Sequence, residues 1–437
     1  MTKAEYMELL KKNLEQFSKE LQEEILEDYR QHFAEGENQG KTDEEIIREL
    51  GNIDEMIQGL SEVDGGNTRE TETVQSLEKE KSYQYSREYK AIELECDVAD
   101  MELEASEDGR IYVDYELDGS ESFCRRFKFY QREEGDVLYA GLKGGDGKSK
   151  HFFGIDVNIN WNGSKTYTSR FGNFGRESGS AVLKVRVPKK MPSLVFTSGS
   201  GCIHADGLDV GAVKGRTGSG DLSVNSLSAG SLEIHAGSGD MEIRNTSAAA
   251  AELSTGSGDI TVERLNAAAL KMSTGSGDLE VSHIKVDGVE AATGSGDLEL
   301  QGVTASACRF TTGSGDVNAQ KIQADVLGVS TASGDIYLRN IRKGMENCQC
   351  QTASGDIELC FTGPVSRIDV SSSSGDIRLD LEEAGGMEAA VNSKTGDVNV
   401  SWKGERCRMS QGVYRYGDGS CKVNVKTTTG DVDIVGR

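Results

Sequence analysis

The chain has 437 residues, a net charge of −25, 53 Gly and only 3 Pro. That length exceeds one ordinary globular core and predicts two or three units, and the charge excludes an electrostatic nucleic-acid or anionic-lipid surface. No run of 18 or more apolar residues exists and the start, Met1-Thr2-Lys3-Ala4-Glu5, is polar. The expectation is therefore a soluble cytoplasmic protein with no signal peptide or transmembrane segment, non-classical export to the cell surface being the alternative.

Residues 1–62 read as a small all-α domain. Thr2-x-x-Glu5 is a capping box, and Tyr6, Leu9, Leu10 and Leu14 follow at helical spacing. A second helix follows Ser18, with Leu21, Ile25, Leu26, Tyr29 and Phe33 inward. Thr42-x-x-Glu45 opens a third leading into Ile46, Ile47 and Leu50, Gly51 is a C-cap, and Ile53, Met56, Ile57 and Leu60 give a short fourth. The domain is strongly acidic. Glu20, Glu23, Glu24, Glu27 and Asp28 on one helix form the candidate surface for a basic protein partner, the plainer reading being a solvated face.

The segments Ala4-Glu5-Tyr6-Met7-Glu8-Leu9-Leu10, Glu24 to Phe33 and Gly40 to Gly51 resemble the HAAS signalling domain, also known as DUF1700. The resemblance implies a cytoplasmic signalling unit, often ahead of membrane helices and beside PadR-type regulators. This chain departs from that arrangement, since no membrane segment follows and Asn52-Ile53 replaces the usual Pro after Leu50-Gly51.

Residues 63–82, Gly-rich and then Glu/Lys-rich, read as a solvated linker. Residues 83–195 are β-rich without a repeat: Ile92, Leu94 and Cys96 alternate, as do Met101, Leu103 and Ala105, and Ile111, Val113 and Tyr115. Since a stack of coils ends in open sheet edges, this stretch is expected to supply irregular starting coils and a cap, with a hairpin arm.

Residues 196–437 repeat the phrase Thr-Gly-Ser-Gly-Asp. Its Asp recurs at Asp221, Asp240, Asp259, Asp278, Asp297, Asp316 and Asp335 in steps of 19 residues, then at Asp356, Asp376, Asp397 and Asp431. Ser198-Gly199-Ser200-Gly201 lies one period earlier, with Cys202 in the Asp position. Apolar residues one and three places after the Asp, and a second alternating set ending in a Thr four places before it, predict two strands per coil. No helix-length segment separates the turns. The fold class is therefore mainly β, a parallel β-solenoid of roughly twelve coils, with strands pairing at about 4.8 Å from coil to coil. Gly-Ser-Gly is expected to supply positive φ, and each Asp to accept hydrogen bonds from its own turn. Of the nine Cys, Cys308, Cys348 and Cys350 have inward parity, which predicts buried reduced thiols; Cys348-x-Cys350 is not a zinc spacing.

From Tyr83 onward Ile92-Glu93-Leu94, Ile111 to Tyr115, Leu183 to Lys189 and the Ser-Gly-Asp repeats resemble DUF4097, the β-strand-repeat family labelled as adhesins. The resemblance implies a β-solenoid, an association with cell-envelope stress in some Gram-positive members, and no catalytic residues.

Sharper readings of the repeat are weaker than the structural one. A calcium ladder would need several oxygens per ion, whereas one Asp follows Gly per coil. A polysaccharide lyase or hydrolase needs a local carboxylate pair, and no coil carries an exceptional cluster. The phrase lacks the Gly-Lys-Ser/Thr ending of a phosphate loop. The Thr column (Thr255, Thr274, Thr293, Thr312, Thr331, Thr352) shares the core's parity, so a stacked hydroxyl ladder is expected rather than ice binding. His204, His235 and His283 read as surface or corner residues. The expectation is a non-enzymatic scaffold without cofactor or metal, regulatory or signalling at the cell envelope, binding a protein partner through its helical domain, with possible peripheral envelope association. An adhesin-like envelope-binding protein is the alternative, and a calcium-stabilised repeat protein a third.

Overall fold

The computed structural model describes residues 3–14, 26, 29, 30, 33, 42, 43, 46, 79–144, 157–161, 165–169 and 179–437 except 343, 383, 409 and 410. The chain divides into two compact units: Met1–Glu78 with Gly119–Arg126 and Gly145–Gly179, and Lys79–Asp118 with Phe127–Gly144 and Ser180–Arg437.

In the first unit a helix spans Lys3–Leu14 and buries Tyr6, Leu10 and Leu14, the stripe that its 3.6-residue period predicts. Leu9, expected with them, is 43% exposed because it lies off that stripe. Tyr6 stacks on Tyr29 at 6.1 Å and meets Phe33 edge-on at 5.9 Å, so residues of the first two predicted helices share one core. The backbone N–H of Lys3 donates to Asp43 Oδ2 at 2.8 Å, and Ile46 N–H donates to the Thr42 carbonyl at 3.0 Å, a helical turn beginning at the predicted cap. The same unit holds a single turn, Glu121–Cys124, and an antiparallel hairpin of Val157–Trp161 with Lys165–Ser169.

The second unit is mainly β and is the expected parallel β-solenoid. Each coil contributes one strand before the Gly-Ser-Gly-Asp turn and one after it, in two columns of parallel pairs without slippage from Met191 to Leu338. Leu279, Leu298 and Val317 stack in one column; Val289, Cys308 and Leu327 stack in the other; all are buried. Isolated, a coil could bury none of this surface. Stacked, each closes its neighbours' core.

The phrase glycines have a steric cause rather than the expected positive φ. None from Gly218 to Gly355 adopts it. A Cβ on Gly275 would lie 2.4 Å from the Gly256 carbonyl oxygen, and one on Gly277 would lie 2.0 Å from that of Gly258. The turns stack so closely that no side chain fits between them. Left-handed backbone instead occupies the opposite corner, five places after Cys202 and after each Asp from Asp221 to Asp335: Gly207, Ser226, Asn245, Arg264, His283, Gly302, Lys321 and Asn340, with φ between 49° and 69°.

At both ends the spatial order departs from chain order. Strands Ala91–Cys96 and Asp100–Ala105 lie between Val137–Gly144 and Ser180–Val187 on one side and Met191–Ser198 and Ile203–Asp206 on the other. Likewise the final coil, Cys421–Thr429 and Val432–Gly436, lies between the coil of Arg367–Ser371 and Ile377–Leu381 and that of Gly386–Thr395 and Val398–Trp402. Antiparallel strands cover the outermost coils: Phe127–Glu134 and Ile111–Asp118 at one end, Glu405–Arg408 and Gln411–Gly417 at the other. The stretch 83–195, read as irregular starting coils and a cap, is divided between the units, since Gly119–Arg126 and Gly145–Gly179 belong to the first. Strand Glu80–Tyr85, which pairs with Ile111–Asp118, begins within the stretch 63–82 read as linker.

Candidate functional site

The Asp column is an inter-coil ladder, which corrects the expectation that each Asp serves its own turn. Asp221 Oδ1 accepts the backbone N–H of Asp240 at 3.0 Å, Asp278 Oδ1 that of Asp297 at 2.8 Å, and Asp297 Oδ1 that of Asp316 at 2.7 Å. Asp240, Asp259, Asp316, Asp335 and Asp356 repeat the bond. Past Asp376 the ladder follows space rather than sequence: Asp376 receives Asp431 at 2.7 Å, and Asp431 receives Asp397 at 2.8 Å. At the other end Asp100 accepts the N–H of Cys202, so the acid missing at Cys202 ends one ladder and leaves Asp221 to start the next. The reason is geometric, because a carboxylate one coil away faces an N–H that the turn leaves unpaired.

The Thr column does the turn-closing work instead. Thr274 Oγ1 accepts from Gly277 N–H at 3.1 Å within its own turn and donates to the Gly258 carbonyl of the preceding coil at 2.9 Å. Thr255, Thr293, Thr312 and Thr331 repeat both bonds, and all are buried. The hydroxyls stack as expected but bond backbone rather than one another.

Among the described residues no group of three or more His, Cys, Asp or Glu side chains is arranged to hold a metal ion. The Asp carboxylates stand one per coil, and those from Asp221 to Asp376 and at Asp431 each have an oxygen engaged by a neighbouring coil. Burial pushes the Cys96 and Cys308 thiols up to about 12, and Cys348 and Cys350 lie fully buried with sulfurs 3.8 Å apart. The Cys96 and Cys308 thiols, so held protonated, are poor nucleophiles. His235 lies against Ser254 and Glu233 on the outer surface, and His283 occupies a left-handed corner. Glu20, Glu23, Glu24, Glu27 and Asp28 lie outside the described residues.

Sequence reasoning missed a groove of about 770 Å³ on the outward face of the strands that precede the turns. Its floor is a row nine places before each Asp, in register from coil to coil: Ser231, Ala250, Ala269, Gly288 and Ala307. A parallel row holds Glu252, Lys271, Glu290, Arg309, Gly328 and Gln349. Lys271 pairs with Glu252 at 3.0 Å, and beside the groove Lys214 pairs with Glu233 at 3.0 Å. The available signal was the Ala-rich stretches 248–251 and 267–269, with glycines at 288 and 328 that stand outside the repeated phrase.

The Toastrack DUF4097 family model matches residues 89–288 and 267–435, and the HAAS model matches residues 5–59. No curated protein matches the chain. Similar solved structures include a "putative adhesin" from Parabacteroides merdae, 15% identical with a TM-score of 0.31, covering 69% of this chain and 96% of that one. A "putative lipid binding protein" from Parabacteroides distasonis is 18% identical with a TM-score of 0.32, over 69% and 96%. A "putative cell adhesion protein" from Clostridium sporogenes is 11% identical with a TM-score of 0.17, over 82% and 100%.

Proposed function

This chain belongs to the Toastrack DUF4097 family and carries a HAAS domain at its N-terminal end, and on that basis we propose that it is a non-enzymatic interaction protein. The observation that supports this most is the ladder of side-chain-to-backbone bonds between successive coils. Recurrent acids and hydroxyls that would serve catalysis elsewhere are occupied in holding coils together, which makes the solenoid a stiff platform. Recognition of one protein partner then falls to the helical unit, whose sequence is unique along the chain, and its acidic residues Glu20, Glu23, Glu24, Glu27 and Asp28 call for a basic partner. The role in this reading is regulatory, at the cytoplasmic side of the envelope. Capture from a lysate of the source cells tests it. Full-length protein should retain a specific partner, and reversal of Glu23, Glu24 and Glu27 to Lys should lose it with the circular dichroism unchanged.

The groove on the solenoid favours a second reading, in which the coils themselves are a recognition surface, as in an adhesin-like protein. Capture that survives the charge reversal and is lost when the groove is filled would support the second reading over the first.

A further inference from the structure

We propose that the groove over residues 231–351 binds an extended, largely neutral glycan that carries spaced carboxylates, with Arg309 as the contact for one carboxylate. This rests on the solenoid being an interaction surface and is independent of what the helical unit binds.

The first observation is a pair of glycines with no structural reason to be glycine. Gly288 and Gly328 lie in or beside mid-strand runs, have no positive φ, and a Cβ would meet nothing within 4 Å at Gly288 and only the Cys308 carbonyl oxygen, at 3.9 Å, at Gly328. Every phrase glycine from Gly218 to Gly355, by contrast, would collide with backbone at 1.9 to 2.4 Å. Glycine in a strand weakens it, and one that packing does not require marks a place where another molecule comes close to the sheet. Gly288 continues the small-residue floor between Ala269 and Ala307, and Gly328 opens a gap directly beside Arg309.

The second observation is Arg309 itself. Among the described residues no carboxylate stands within ion-pair distance of it, although Lys214 and Lys271 in the same row each hold a glutamate at 3.0 Å. Its neighbours in register are Glu290 on one side and Gly328 on the other, and beyond the gap stands Gln349. Asn347, which also lines the groove, has a buried Oδ1 with no hydrogen-bond partner. An unpaired guanidinium beside a glycine gap forms a notch for a carboxylate, and the orphaned Asn347 Oδ1, an acceptor, calls for a donor such as a sugar hydroxyl.

The ligand class follows by elimination. A peptide adding a strand needs an open sheet edge, but the strands of the groove are paired on both sides. A helix or acyl chain needs an apolar groove deep enough for large anchors, whereas this floor is Ser, Ala and Gly, with Val326 alone larger and at one end of the row, beside a charged row. A uniform polyanion is opposed by the net charge of −25 and by Glu233, Glu252 and Glu290 along the wall. A sugar chain offers a weakly polar C–H face for the floor and rim hydroxyls for carboxylate and amide acceptors. Its isolated carboxylate is what Arg309 lacks.

Calorimetric titration of the full chain with three probes tests this: hyaluronan hexasaccharide, in which carboxylates alternate with neutral N-acetylglucosamine, neutral chitohexaose, and polygalacturonate. Hyaluronan hexasaccharide is expected to bind at least tenfold more tightly than chitohexaose, and polygalacturonate more weakly than hyaluronan. Arg309→Gln should remove the preference. Gly288→Tyr and Gly328→Tyr, for which the fold leaves room, should keep the native melting temperature and abolish binding of both oligosaccharides. The proposal is overturned if neither oligosaccharide binds, if the Tyr variants bind unchanged, or if polygalacturonate binds best. Titrating the chain with Glu23, Glu24 and Glu27 reversed separates the two readings, since the groove should bind glycan as before whether or not partner capture is lost.

Discussion

The carboxyl of Asp278 reaches the neighbouring coil, so its removal should be felt one coil away. Asp278→Ala leaves the Asp297 N–H without its acceptor and should destabilise by about 1 to 2 kcal/mol, as losing a cap does, while Asp278→Asn keeps an acceptor oxygen and should lose less. Hydrogen exchange localises the effect: faster exchange at the Asp297 amide is expected, and loss confined to residues 275–278 would show that the acid serves its own turn after all. The left-handed corner offers the opposite sign. His283 holds φ at 56°, which strains a residue with a Cβ, whereas Gly302 one coil on relieves that strain. His283→Gly should therefore raise stability by up to about 1 kcal/mol after the entropic penalty of glycine, and Gly302→Val should lower it by more than that, both read from denaturant midpoints. Buried thiols set an alkaline limit. In the unfolded chain Cys96 and Cys308 ionise near their ordinary value of about 8.5 and in the folded chain at about 12. Between those values the unfolded state releases protons that the folded state retains, so the stability they contribute is complete below about pH 8.5 and falls as pH rises toward 12. Substituting Cys308 with Val should flatten part of that fall in melting temperature against pH.

At the scale of strands the informative feature is the exchanged order of the end coils. A stack of repeats ordinarily frays from its chain termini, because the last repeat has a neighbour on one side only. Here Val432–Gly436, the last coil strand in sequence order, pairs with Ile377–Leu381 on one side and Val398–Trp402 on the other and is interior to the stack. Trp402 depends on this arrangement: a Cβ on Gly436 would lie 2.0 Å from its ring, so the ring packs over the one residue that leaves room for it. Amides of Val432 and Ile434 are therefore expected to exchange as slowly as those of central coils, while the covering strands Glu405–Arg408 and Gln411–Gly417 exchange fast. Uniformly rapid exchange from residue 421 onward would contradict the placement. Gly436→Leu should drive Trp402 off its site and destabilise by about 2 to 4 kcal/mol through overpacking and loss of a buried aromatic.

For the molecule as a whole the decisive quantity is net charge. Ion pairs on the solenoid surface, such as Lys214 with Glu233 and Lys271 with Glu252, are half exposed and individually contribute little. Against them stands the mutual repulsion of 73 acidic side chains opposed by only 48 basic ones. Salt screens both, and the repulsion involves far more pairs at long range. Raising sodium chloride from about 10 to 300 mM should therefore raise the melting temperature; a fall would mean that the surface ion pairs dominate.

Much of this protein was legible in its sequence because a solenoid makes each coil a local problem. Alternation of apolar residues about a turn phrase of fixed period fixes two strands, their inward faces and parallel stacking, and Tyr6, Leu10, Leu14 and Phe33 declare a helical core by the same kind of pattern. Periodicity cannot say which coil lies beside which. An Asp whose oxygen reaches the next coil has the same local sequence as one that closes its own turn, and glycines placed for close backbone contact read like glycines placed for positive φ. The exchange of the last two coils depends on hairpins and on Trp402 over Gly436, contacts between residues far apart in the chain. The groove, likewise, exists only when outward residues 19 apart come into register. A row of Ala and Gly that local strand preference disfavours acquires meaning there, because stacking turns it into a continuous floor.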